Sequence, residues 1–230
     1  MSLSFSSCDN NKTIHPSSNI TVQERSVDPY TGIEVSSAFK VDIEFSATEE
    51  KVEIEASANV QPYIEVDNYG NNLRIQLKNN TKITGNSTLR VHILTKSPLN
   101  YFAATGACHI TLNNKLFADD VMLSLSGASH FIGDIEATSI ITYLDGASGV
   151  TLTGVADSFN ADLEGASQIG EFGMVVQNAS VQLSGASNAS LSVNGVINVD
   201  GSGASIFRYK GNAVIDNLNL SGGAQIMKVE

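Results

Sequence analysis

The chain has 230 residues, 13 Lys and Arg against 24 Asp and Glu, and a net charge of −11. That balance disfavours nucleic acid and anionic membrane as electrostatic partners. No apolar run approaches the roughly 20 residues of a membrane helix, and two cysteines cannot form a disulfide framework.

The start, residues 1–29, reads as a leader remnant and polar tether. Met1 to Asn10 carries Cys8 after small serines and before Asp9 and Asn10. Two readings stand: Cys8 is a lipidation site, the tail of a trimmed lipoprotein signal, or the pattern is chance, since the apolar signal core is missing. Residues 9–29 are rich in Asn, Ser, Thr and Asp, with Pro16 and Pro29, a composition that suits a spacer.

Residues 30–230 are expected to form one domain. In 30–101, Phe39–Phe45, Val52–Ala56, Tyr63–Val66, Leu73–Leu77 and Leu89–Leu94 alternate apolar and polar residues, the period of half-buried strands. This part is either irregular solenoid turns or an N-terminal cap, since terminal repeats are usually atypical. Asn79 to Ser87 is expected to be a surface loop.

Residues 102–230 repeat one phrase seven times. Its glycines fall at 106, 127, 146, 165, 185, 203 and, in a worn copy, 223, at spacings of 18 to 21 residues, followed in most copies by Ala and Ser. Apolar residues stand two and four positions before the glycine and four and six after it in most copies, which is strand periodicity. Units of this length bury their apolar faces by stacking. The expected fold is therefore all-β, a single-stranded right-handed parallel β-helix of about 18–21 residues per turn, with a rise of about 4.8 Å per turn. The phrase makes the corner: glycine turns the chain, and small Ala and Ser let turns stack closely. Cys108 occupies a serine slot, and a second glycine (133, 154, 173, 195, 211) is expected to mark another bend.

Chemistry is sparse. His109 and His130 sit three residues after successive glycines, in a column continued by Gly149, Gln168 and Asn188, so they form either a metal pair or a polar ladder. Asp145 and Glu164 share the position before the glycine, with Asp162 close by; this surface carboxylate column is either a solvated face or an acid–base or calcium cluster. Residues 102–230 hold only Lys115, Arg208, Lys210 and Lys228 as bases, fewer than a polysaccharide-cleaving cleft needs. The nucleophile-elbow, phosphate-loop and zinc patterns are missing, and five equivalent serines make packing residues rather than a nucleophile. No catalytic, cofactor or metal site is assigned.

The Leu-x-Gly-Ala-Ser repetition, the Phe39-Lys40-Val41 start and the Cys8 pattern resemble the autotransporter adhesin "head GIN" domain family of Bacteroidetes surface proteins, over residues 30–220. The resemblance implies a β-helix, export and an adhesive or structural role, with no catalytic residues to transfer. The first expectation is a non-catalytic, adhesin-like module at the outer-membrane surface or in the periplasm, held to the membrane only through a lipid on Cys8. Its partner is polysaccharide or a surface protein. The alternatives are a β-helix carbohydrate-active enzyme and a self-assembling homo-oligomeric envelope element.

Overall fold

The computed structural model of the chain describes residues 12–230. Cys8 lies outside the described residues. Among those described there is one 3-10 turn, Gln61–Tyr63, and no α-helix; everything else regular is strand.

The strands in chain order are Lys12–Ile14 (β1), Ile20–Glu24 (β2), Gly32–Ser36 (β3), Lys40–Phe45 (β4), Lys51–Ser57 (β5), Ile64–Tyr69 (β6), Asn72–Leu77 (β7), Thr81–Ile83 (β8) and Leu89–Thr95 (β9). Then follow Tyr101–Gly106 (β10), His109–Leu112 (β11), Leu116–Gly127 (β12), His130–Leu144 (β13), Gly149–Leu163 (β14) and Gln168–Gly170 (β15). The last are Met174–Leu183 (β16), Asn188–Gly201 (β17), Ile206–Lys210 (β18), Val214–Leu220 (β19) and Gln225–Lys228 (β20).

From β10 onward every pairing is parallel and joins one turn to the next, so the molecule is a parallel β-solenoid. The register follows the repeat: Gly106 pairs with Gly127, Leu144 with Leu163, and Leu183 with Gly201. Inward columns on the strands are mostly apolar along the axis. One runs Ile33, Phe102, Leu123, Thr142, Ala161, Val181, Val199 and Leu218. Phe102, Phe131, Phe159 and Phe207 are fully buried, and Phe102 meets Phe131 edge-on at 5.1 Å. Each side chain of this size contributes about 1.5–3 kcal/mol by leaving water.

The corner explains the phrase. Gly127, Gly146, Gly165, Gly185 and Gly203 all have left-handed φ between 70° and 77°. A Cβ on Gly165 would stand 2.5 Å from the carbonyl oxygen of Gly146, so only glycine fits. The next residue donates its N–H to that same oxygen, Ala166 to Gly146 at 2.7 Å. The serine slot, Ser129, Ser148, Ser167, Ser187 and Ser205, is buried, and Cys108 is buried in the same slot. The worn seventh copy is shifted by one from the expected frame. Gly222 (φ 68°) stacks on Gly203, Gly223 takes the alanine place, and Ala224 the serine place. The second glycines do not form one bend. Gly133 pairs with Leu152 in a core-facing column and yields space to Leu112 and Phe131, whereas Gly154 and Gly211 turn the chain with positive φ.

The N-terminal part is both turn and cap. β3 and β4 form the first solenoid turn, pairing in parallel with β10 and β11. The chain then leaves the stack, covers its upstream end with β5, β6, β7 and β9, and returns through Pro98 to Asn100 to lay β10 on the other side of β3. Residues 12–24 differ from the expected tether. β1 pairs with β8, and β2 adds to β5 as an antiparallel edge, so this segment is part of the cap. The Ile20-Thr21-Val22 run is β-branched and suits an edge strand. β8, the partner of β1, lies within the expected surface loop 79–87.

Candidate functional site

Stacking turns the outward positions into straight ladders. On the flank built by β3, β10 and β12, continued by β13, β14, β16, β17 and β19, one column reads Arg74, Glu34, Ala103, Ser124, Tyr143, Asp162, Gln182, Asp200 and Asn219. Beside it runs Tyr101, Met122, Ile141, Asn160, Ser180, Asn198 and Asn217. Neighbouring turns therefore offer amide, hydroxyl or carboxylate groups about 4.8 Å apart along the axis.

The sequence-nominated carboxylates meet here. Asp145 and Glu164 follow Leu144 and Leu163, which pair directly, so they are neighbours in one column. Asp162 stands one column over, opposite Tyr143. All three line a shallow cavity of about 190 Å³ with Tyr143, whose side chain is 47% exposed. An adjoining cavity of about 310 Å³ lies upstream, lined by Glu34, Arg74, Gln76 and Tyr101. The two share Ser124 and Ser126, so they form one open trough along the rod.

The trough's polar groups are partly fixed. Asp145 Oδ1 accepts the Gly146 N–H at 2.7 Å, which makes that carboxylate part of the corner. Ser126 Oγ donates to Thr105 Oγ1 at 3.3 Å, and Asn219 to Asp200 at 3.3 Å. Arg74 is held by Asp67 at 2.7 Å and lies over the Tyr69 ring at 4.6 Å. Burial, and then the charge of Glu34, push the Tyr101 phenol upward, so it stays a neutral donor. Tyr143 is the large side chain that stands clear, a platform for an apolar ligand face.

His109 and His130 pair across β11 and β13, their rings stacked at 5.1 Å and 12°. The column continues upstream through Lys40 and Arg90. Burial, then His130 and Lys40, hold the His109 imidazole below its ordinary value. Among the described residues no three His, Cys, Asp or Glu side chains gather closely enough to hold a metal.

One feature escapes sequence reasoning. A cavity of about 730 Å³ lies beside Phe117, lined also by Pro98, Asn100, Asp119, Asp120 and Glu136. Phe117 is 61% exposed. Its signal in sequence is a phenylalanine in the polar phase of an alternating strand, followed by two adjacent aspartates.

The profile of the family described as "Putative auto-transporter adhesin, head GIN domain" matches residues 29–213. The chain belongs to this family. The head GIN match spans the first solenoid turn, the cap excursion and the stack up to the residue before β19. Solved structures share the fold. A "putative adhesin" from Bacteroides fragilis superposes with a TM-score of 0.87 at 18% identity, covering 94% of this chain and 100% of that one. A "putative lipid binding protein" and a "putative adhesin" from Parabacteroides distasonis give TM-scores of 0.77 and 0.76 at 16% and 20% identity. Each covers 95% of this chain and 100% of its own. No curated protein matches the chain in sequence.

Proposed function

We propose that this head GIN chain is a non-catalytic, adhesin-like module of the cell envelope that lays the Tyr101–Tyr143 trough along a polysaccharide. The carrying observation is the continuity of the two cavities through Ser124 and Ser126, which makes the site linear and open rather than a closed pocket. A linear polymer fits an open track, whereas bond cleavage calls for convergent groups around one bond. Stacked strands keep the track rigid, so little ordering entropy is lost on binding. The acids along it, with Arg74 already paired, favour neutral over anionic polymers. Attachment to the envelope through a lipid on Cys8 belongs to the same proposal.

The test is retention on insoluble neutral polysaccharides, comparing the wild-type chain with Tyr143→Ala and Asp162→Asn. The expected result is retention of the wild type and weakening by both substitutions, with unchanged melting temperature. Retention indifferent to both changes overturns the trough.

A further inference from the structure

The Phe117 cavity is a consequence of how the chain builds its cap. β12 pairs with β10 only from Met122 onward, while its first part, from Leu116 to Val121, pairs with β13 on the downstream side alone. The strand that would lie upstream is missing, because the chain spends residues 46–99 on the cap and returns through Pro98 and Asn100. Asn114 bridges part of the gap, exchanging hydrogen bonds with the Phe45 backbone at 2.9 and 2.8 Å. What remains is a concave site with an unpaired strand edge on one wall and the Phe117 ring beside it.

An exposed phenylalanine beside polar groups in a cavity of this size makes a candidate binding surface. Charge selects the occupant. The lining carries Asp119, Asp120 and Glu136 and no basic side chain. Among the described residues Asp119 and Asp120 take part in no ion pair, whereas Glu136 is 3.7 Å from Lys115. That same Lys115 ammonium lies 5.9 Å from the centre of the Phe117 ring, so the ring already receives a cation on one side. The matching ligand therefore combines an apolar face for the ring, ammonium groups for the aspartates, and hydroxyls for Asn100, Thr138 and the free strand edge.

We propose that the Phe117 cavity binds a polysaccharide carrying free amino groups, of the glucosamine type. A uronate polymer is repelled by the unpaired Asp119 and Asp120. A neutral sugar engages the ring but leaves the aspartates unmatched. A lysine-rich peptide satisfies the aspartates, but its flexible side chain loses more rotamer freedom against the ring than a pyranose does. The site lies on a different part of the turn from the trough and stands whether or not the trough binds anything.

The test is calorimetric titration of the chain with a glucosamine oligomer, at a pH where its amines are protonated. The N-acetylated oligomer and a lysine-rich peptide are run alongside. We expect binding of the glucosamine oligomer, weakened by added salt. Phe117→Ala weakens it about fivefold or more, and the double change Asp119→Asn with Asp120→Asn weakens it and flattens the salt dependence. Phe117 and both aspartates are exposed, so melting temperature should stay at the wild-type value. Several outcomes overturn the proposal: no binding, equal binding of the N-acetylated oligomer, binding of the peptide alone, or affinity indifferent to both variants. Loss on Tyr143→Ala without loss on Phe117→Ala also overturns it, and moves the ligand to the trough.

Discussion

At the scale of single residues, the corner glycines carry most of the fold's specificity. Gly165 combines a left-handed φ of 72° with a carbonyl oxygen where a Cβ would go. Gly70 has a similar φ of 61° but nothing within 4 Å. Gly165→Ala therefore adds a steric conflict to the backbone strain and should cost about 3 kcal/mol. Gly70→Ala carries the strain alone, at about 1 kcal/mol. Urea denaturation of the two variants separates the terms, and equal losses would mean that turn-to-turn contact at the corner contributes nothing. Cys108 gives a second check. It is buried, its Sγ donates to the Thr105 carbonyl at 3.4 Å, and burial raises its thiol pKa. In a Cys8→Ser background it should stay unmodified by thiol reagents at neutral pH until the chain unfolds. Rapid labelling of the native chain would contradict the packing of that slot.

Between elements, the His109 imidazole of β11, stacked on His130 of β13, couples stability to pH. His109 faces Lys40 on β4 and His130 on β13, and its folded pKa lies below the ordinary value. The unfolded chain then takes up a proton before the folded one does. This contribution is intact above about pH 6.5 and is lost as pH falls through the unfolded value towards the folded one. His109→Gln should reduce the drop in urea midpoint between about pH 7.5 and about pH 5.5. A drop of the same size in the variant would assign the pH dependence to other groups.

The element scale is also where sequence and structure part. The repeats from 102 onward were legible, because each column recurs seven times and periodicity averages out irregular residues. That Asp145 and Glu164 are neighbours followed from the same arithmetic. The cap was not legible. β2 and β5 are antiparallel partners some 35 residues apart, with no repeat to set the register, and the polar composition of 12–24 is that of an exposed edge as much as of a tether. The frame of the last corner was misplaced by one because Gly222 and Gly223 are adjacent and only the backbone shows which one turns. The continuity of the trough depends on placing Glu34 of the first turn and Arg74 of the cap beside the second and third turns, and the Phe117 cavity on the strand that the cap leaves out.

For the whole molecule, the two ends differ. The upstream end is covered by the cap, while β19 is exposed along nearly its whole length, with Val214, Ile215 and Leu218 in contact with solvent. Solenoid stability is a sum of nearest-neighbour contacts, so a turn with one neighbour opens most easily. Native-state hydrogen exchange should show protection highest in β12 to β17 and falling through β18 to β20. Uniform protection to the last turn would mean that the end is covered in solution, which a rise in mass with concentration would trace to self-association. Lys228 stands in the core-facing column after Tyr209, a charge that discourages strand addition at this edge.

The central claim is that the rigid flank holds polysaccharide without cutting it. The measurement is incubation of the wild-type chain with neutral, acidic and amino polysaccharides, with retention and released reducing ends read from the same samples. The predicted result is retention on neutral and amino polymers, none on acidic ones, and no release above the protein-free control. Release that disappears in an Asp162→Asn, Glu164→Gln double variant would contradict the account and make the trough an active site.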